Sequence, residues 1–161
     1  MANPTSFPGD GDFQGELRCT DLKITNSTNK IEAKYSDDCL SVVLYADSLA
    51  TIAAAETGLV GWVAFGAGTI KGVKCGSIVA AVGDSTVTID VKKDGTTVLD
   101  STVVLDSSNV AYTPEDATLD GTAVAFTAGD VFTVVITVSA GTGTLPYGVY
   151  VALSLYQDYP H

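Results

Sequence analysis

The stretch STVTIDVKKDGTTVLD, residues 85–100, decides the fold class of this chain. Apolar Val87, Ile89 and Val91 alternate with Thr, Asp and Lys, which is the period-two pattern of a strand with one buried face. The Asp-Gly pair at 94–95 is typical of a two-residue hairpin turn, because both residue types tolerate positive φ angles. The stretch therefore predicts an antiparallel hairpin in an all-β domain.

Two later runs extend this prediction. In DVFTVVITV, residues 130–138, both faces are apolar or β-branched, which indicates a central strand. In YGVYVALSLY, residues 147–156, one face is an apolar stripe and the other combines small residues with Tyr150 and Tyr156. A surface of small and aromatic residues favours contact with a partner, so we expect both tyrosines to lie in an interface.

The whole pattern predicts an antiparallel two-sheet sandwich, jelly-roll-like, assigned to residues 59–161. About eight strands separated by turn residues, with one long irregular connection at 107–121, favour this order over a closed barrel. Residues 1–58 are expected to form an N-terminal arm and a small accessory segment for attachment or oligomer contact. Within them, SLATIAAAE at 48–56 favours one short helix, with Gly58 at the position of a C-terminal stop.

Composition excludes several classes of partner. The 161 residues include 8 Lys plus Arg against 19 Asp plus Glu, a balance that repels phosphate backbones and argues against nucleic-acid binding. No apolar window approaches the roughly 20 residues that cross a bilayer, so no membrane contact is expected. Charged residues make up only 17% of the chain, which indicates that some apolar surface meets another chain.

The cysteines and the N-terminal residues indicate whether the protein is exported to an oxidising compartment. Cys19, Cys39 and Cys75 match neither a redox pair nor a metal-ligand set, and we interpret them as reduced, partly buried residues. A bridge between Cys19 and Cys39 is the alternative. The N-terminus lacks a basic segment followed by an apolar one, so export by the usual signal is not expected.

No arrangement of residues predicts catalysis, and we expect no enzyme. The single histidine is His161, the last residue, where an imidazole is seldom held rigidly enough for a triad. The adjacent pairs Asp37-Asp38 and Glu115-Asp116 are poor dyads, because neighbours in an extended chain point to opposite faces. A third interpretation, a sandwich enzyme acting on glycosides, would need a carboxylate of raised pKa in a deep cleft.

The remaining aspartates follow a turn pattern. They lie at strand ends beside Gly, Ser or Thr, where Asp accepts hydrogen bonds from its own turn, and we predict that role for Asp84, Asp94, Asp100, Asp106, Asp120 and Asp130.

No cofactor is expected, and calcium is the one metal left open. Asp10, Asp12 and Glu16 in GDGDFQGE form a fragment of a D-x-D loop without the rest of the EF-hand pattern.

Trp62 has two interpretations. With neighbouring Phe65 it fits stacking on a sugar, but its apolar strand favours a place in the core. We include it among the predicted partner-binding residues, together with Phe7 and Phe13 of the arm.

Residues 68 to 156 resemble a known family. The order GTIKGVKCGSIVAAVGDSTVTIDVKKDGTTVL, then FTAGDVFTVVITV, then LPYGVYVALSLY is similar to the jelly-roll domains of tailed-bacteriophage virion proteins, notably capsid decoration (cement) proteins and head fibres. The resemblance covers a little over half of the chain. Three motifs carry it. The first is a pair of strands joined by a DG hairpin turn, and the second is the sequence A-G-D directly before a long apolar strand. The third is a closing strand with Gly148, Val151, Leu153 and Leu155.

The resemblance implies a non-enzymatic homotrimer on the exterior of a capsid, made in the host cytoplasm and bridging subunits of the major capsid protein. We expect residues 1–20, extending toward 58, to contact the lattice. The sandwich is expected to trimerise through the face of Tyr150, Ala152 and Tyr156. The alternative is a receptor- or carbohydrate-binding tip of a phage fibre that uses Trp62, Tyr112 and Asp120.

Overall fold

The computed structural model describes residues 40–122 and 124–157. The chain divides into two units between Lys34 and Tyr35, and all described residues belong to the second unit. These residues form antiparallel strands and include no helix. The strands are β1 (Leu40–Ala46), β2 (Glu56–Val63), β3 (Gly68–Val79), β4 (Thr86–Lys93), β5 (Thr96–Thr97), β6 (Val103–Leu105), β7 (Glu115–Asp116), β8 (Ala125–Phe126), β9 (Val131–Ser139) and β10 (Tyr147–Gln157).

The strands pair into two sheets, which confirms the predicted sandwich. The first sheet has the order β1-β10-β3-β7, with β8 also paired to β3, and the second has the order β2-β9-β4-β5, with β6 also paired to β4. If β5 with β6 and β7 with β8 each count as one interrupted strand, each sheet has four strands. Successive strands then switch sheets except within the β4–β5 hairpin, which is a jelly-roll-like order.

The strands that led the sequence argument lie where the pattern placed them. β9 is central in its sheet, between β2 and β4. The hairpin from β4 to β5 turns at Asp94 and Gly95, whose φ angles are 48° and 84°. The stripe of Val87, Ile89 and Val91 is fully buried, because this side of β4 faces the other sheet.

The core lies between the two sheets. Both supply a row of buried apolar side chains, and the removal of this surface from water is the main stabilising contribution. The row of β10 is Val149, Val151, Leu153 and Leu155, all inaccessible to solvent. Facing rows come from β4 and from β9.

The predicted helix at 48–56 is wrong. Thr51 donates its N–H to the Ser48 carbonyl in a turn, Ile52 forms a β-bridge with Tyr147, and buried Ala53 donates to the Pro146 carbonyl. A nine-residue segment is too short to be helical alone, so tertiary hydrogen bonds and burial outweigh its Ala-rich composition.

The predicted domain boundary at 58/59 is also wrong. It falls inside β2, and β1 pairs with β10 from Leu40↔Leu155 to Ala46↔Tyr150. Residues 40–58 are therefore part of the sandwich.

The sandwich has two chemically different ends. At the one we call the loop end lie the connections 47–55, 80–85, 106–114 and 140–146, because β1, β3, β6 and β9 all finish there. At the opposite end, the hairpin end, lie the connection 64–67, the β4–β5 turn and the turn 127–130.

Candidate functional site

The outer face of the first sheet carries the predicted interface residues of β10. Tyr150, Ala152 and Tyr156 alternate with buried residues of the core row and therefore project away from the core. Tyr156 is exposed, whereas Tyr150 and Ala152 are half-buried. The structure thus places all three on one face, as the alternation predicted.

A shallow depression of about 220 Å³ lies in this face. It exists because small residues of three neighbouring strands meet there: Ser154 pairs with Ser41 on one side and with Gly72 on the other. At Gly72 a Cβ atom would meet open space. The depression is lined by Ser41, Gly72, Lys74, Ala152, Leu153 and Ser154.

The two tyrosines flank this depression and do not form one cluster. They are six residues apart on β10, about 20 Å along an extended strand. Tyr150 packs over Gly76, where a Cβ would lie 2.5 Å from the tyrosine hydroxyl oxygen. Beside the depression, Lys74 Nζ lies 2.6 Å from Asp116 Oδ1, and both side chains are exposed, so this ion pair contributes little to stability.

Trp62 belongs to the core rather than to this face. Its ring lies 5.1 Å from Phe132 and 5.5 Å from Phe126, measured between centroids, and the latter pair is edge-on. Such aromatic pairs stabilise beyond the area they bury. The half-buried indole thus follows the core interpretation, with its ring held against the other two.

Tyr112 is a different kind of aromatic residue. It is 72% exposed and has a φ of 62°, a left-handed conformation that costs a residue with a Cβ about 1–2 kcal/mol. Its N–H donates to the Ser77 carbonyl at 2.9 Å, and in the same connection Asn109 donates to Glu115 Oε1 at 2.8 Å. The fold therefore holds the backbone of Tyr112 in place, and the side chain projects into solvent.

The predicted hydrogen bonds within a turn are confirmed for three aspartates: Asp106, Asp120 and Asp130 each accept from a backbone N–H and a hydroxyl two or three residues away. Asp84 and Asp94 instead accept a backbone N–H from a distant segment, that of Thr142 and that of Val131 respectively.

These hydrogen bonds change the acidity of the carboxyls. The pKa of Asp84 is lowered mainly by the backbone N–H of Thr142 and next by the Thr142 hydroxyl. The pKa of Asp106 is lowered mainly by the hydroxyl of Ser108 and next by the Ser108 N–H. The N–H of Thr122 does the same for Asp120. All three carboxylates are ionised at neutral pH.

Two other groups have altered acidity through burial. Burial raises the pKa of the Cys75 thiol to about 12, so it is protonated at neutral pH and behaves as a small apolar core residue. Burial and a hydrogen bond to Asp47 raise the pKa of Tyr45.

Two kinds of feature are absent from the part of the chain that the structure describes. No three His, Cys, Asp or Glu side chains of residues 40–122 and 124–157 lie close enough together to hold a metal ion. Among the same residues no helix is long and apolar enough to span a bilayer. Phe7, Phe13, the predicted calcium ligands Asp10, Asp12 and Glu16, and Cys19, Cys39 and His161 lie outside the described residues.

Sequence reasoning missed the exposed apolar residues of the loop end. Leu49, Val82 and Val110 are each more than half exposed, and the last two stand in segments rich in Gly, Ser, Asp and Asn. An isolated large apolar residue inside such a turn-rich segment was the available signal.

Comparison of the chain with protein-family models, with curated proteins and with solved structures finds no match.

Proposed function

We propose that the chain is a non-enzymatic structural protein of a virion, a decoration protein that attaches to the outside of a capsid and bridges its major capsid subunits. One observation carries the proposal: fourteen large apolar side chains of the described residues are exposed on an acidic sandwich. Apolar surface on this scale favours coverage by other chains. The jelly-roll-like strand order supports the same assignment through the family resemblance.

Attachment is tested with the major capsid protein encoded in the same genome. Shells assembled from it are mixed with the protein and sedimented, and we expect the protein to pellet with the shells and to raise their disassembly temperature. A chain lacking residues 1–20 tests the contribution of the arm, which we expect to weaken binding. A full-length protein that stays in the supernatant and leaves shell stability unchanged would contradict the proposal.

Self-association into a trimer is the second element of the proposal. The small-residue depression between Tyr150 and Tyr156 suits a side chain of a neighbouring copy, so we assign the trimer contact to this face. Light scattering after gel filtration is expected to give three times the chain mass. Ala152→Arg, which fills the depression with a cation, is expected to yield monomers, whereas Thr88→Arg on the outer face of the second sheet leaves the mass unchanged.

The second candidate function is a receptor- or carbohydrate-binding fibre tip. The observation that favours it is the solvent-exposed ring of Tyr112, since exposed aromatic rings stack on sugars. Trp62 and Asp120 favour it less, because the indole packs against Phe132 and the carboxylate accepts hydrogen bonds from Thr122. Binding on a glycan array that Tyr112→Ala abolishes would support this candidate over attachment to a capsid.

A further inference from the structure

Three connections at the loop end are joined by hydrogen bonds, and the fourth is anchored to β3; together we call them the platform. Gly148 donates its N–H to the Thr51 carbonyl at 3.0 Å, which ties the connection 47–55 to the start of β10. Val82 and Thr144 exchange two backbone hydrogen bonds of 2.9 Å, which ties 80–85 to 140–146. Hydrogen bonds between connections reduce the freedom of their backbone to move, so the positions from which their side chains project are defined.

Ser85 and Asp84 strengthen this junction. The buried Ser85 hydroxyl donates to the Thr144 carbonyl at 2.6 Å, and Asp84 Oδ1 accepts from the Thr142 N–H at 2.7 Å. The connection 106–114 is anchored beside them, because the Tyr112 N–H donates to the Ser77 carbonyl on β3. The loop end therefore presents a preorganised surface, which lowers the entropic cost of binding.

The platform exposes large apolar side chains. Six of the fourteen exposed apolar residues lie on it or at the adjoining end of β3, and they come from three of the connections and that strand. They are Leu49, Ile52, Val79, Val82, Val110 and Tyr112. Because these side chains project from hydrogen-bonded loops, the sandwich itself does not cover them.

The charge of the platform limits what can cover it. Its four connections carry Asp47, Asp84 and Asp106 and no Lys, Arg or His. Two copies placed loop end to loop end would oppose like charges, and a nucleic acid would add more negative charge. A complementary surface therefore combines apolar contacts with a basic rim.

We infer that the loop end is the surface by which this protein docks on a partner protein whose contact area is apolar and rimmed by Lys or Arg. The inference rests on the proposed function, in which that partner is the capsid shell, and it assigns the contact to a defined end of the sandwich. Tyr112, exposed on a backbone held in the left-handed conformation, supplies the aromatic contact, because tyrosine is enriched among the residues that dominate binding energy.

The test compares two exposed pairs of residues at opposite ends. The loop-end variant carries Leu49→Ser and Val82→Ser, and the matched hairpin-end variant carries Val63→Ser and Phe65→Ser. All four side chains are at least 40% exposed, so both variants are expected to fold. Circular dichroism and urea unfolding check this before binding is measured.

Two probes are used. One is the capsid shell described above, and the other is a synthetic amphipathic helix of Leu and Lys, with a Leu and Glu helix as its control. We expect the loop-end variant to lose about tenfold or more in affinity for the shell and for the Leu/Lys helix, and the hairpin-end variant to keep affinity within about threefold. Affinity for the Leu/Lys helix should fall as ionic strength rises from about 0.01 M to about 1 M.

The outcomes separate the inference from the function on which it rests. Loop-end-dependent binding of the Leu/Lys helix without binding of shells supports the docking surface and contradicts the capsid assignment. Equal loss of affinity in both variants, equal binding of the Leu/Lys and Leu/Glu helices, or no binding of either probe would overturn the docking surface.

Discussion

The two ends of the sandwich differ in what lies beneath their connections. At both ends, hydrogen bonds between connections hold the chain and some large apolar side chains point outward. At the hairpin end, the rings of Trp62, Phe126 and Phe132 also pack together inside, and Lys93 donates to the Ala125 carbonyl and lies 3.9 Å from Asp130 Oδ2. The comparison indicates that the hairpin end depends on buried rings, whereas the loop end depends on its backbone junction.

The largest effect is expected at the hairpin end. Phe132→Ala removes the fully buried ring that contacts both other aromatic residues, and we expect the free energy of unfolding to fall by about 3–5 kcal/mol. Urea unfolding followed by tryptophan fluorescence and circular dichroism measures this. Leu49→Ala at the loop end is the control, with an expected change within about 0.5 kcal/mol because the side chain is exposed. A loss below about 1 kcal/mol for Phe132→Ala would show that the cluster does not hold this end.

The next effect tests the backbone junction of the loop end. A Cβ at Gly143 would collide with the Val82 carbonyl oxygen, so Gly143→Ala must push two connections apart. We expect a loss of about 1–3 kcal/mol in the free energy of unfolding, with faster hydrogen exchange in residues 80–85. Gly121→Ala is the matched control, since its Cβ would meet nothing within 4 Å. Equal stability of the two variants would argue against a rigid platform.

A smaller effect of opposite sign is expected at Tyr112. Asn adopts the left-handed conformation more readily than Tyr, so Tyr112→Asn should raise the free energy of unfolding by up to about 1 kcal/mol. The same change should weaken binding to the capsid shell and to the Leu/Lys helix, because the exposed ring is lost. Thermal unfolding and binding titration are measured on the same samples. A variant that is less stable and binds as well as the original would refute both expectations.

The smallest effect concerns acid pH. The pKa of Asp84 is lowered below its ordinary 3.8 in the folded chain, so its carboxylate stabilises the fold above that pH, and this contribution is lost as pH falls through the folded pKa. Asp84→Asn should therefore be less stable than the original chain at pH 7, with the difference vanishing toward about pH 2.

Thermal unfolding across this pH range measures the difference. Thr142→Val, which removes only the hydroxyl donor, should give a weaker form of the same pH dependence. Parallel curves for the original chain and Asp84→Asn at every pH would contradict the assignment.

Local sequence pattern predicted the structure correctly where the burial or conformation of a residue depends on its neighbours in the chain. Alternation predicted the buried rows of β4 and β10 and the outward face of Tyr150, and the Asp94 turn followed from the φ preference of its residues. The turn-forming role of Asp106 and Asp120 was predictable for the same reason, since their donors Ser108 and Thr122 lie two residues further along the chain.

Local sequence pattern failed to predict the conformation of segments that is determined by residues far away in the chain. The Ala-rich segment 48–56 has local helix propensity, but Pro146 and Tyr147, about ninety residues away in the chain, provide the hydrogen bonds that hold it extended. The site was predicted only in part. The tyrosine face of β10 is visible in the alternation of residues, whereas the exposed apolar residues of the loop end come from three separate connections and from β3.

Residue pattern was sufficient to establish that the described part of the chain is all-β, which faces of its main strands are buried and where its hairpin turns, since these depend on side-chain period and local backbone preference. The strand order, the extended course of 48–56 and the location of Leu49, Val82 and Tyr112 at one end became visible only in the folded chain. Those features arise from hydrogen bonds and packing between residues far apart in the chain. Local sequence pattern does not indicate which distant segments pair with each other.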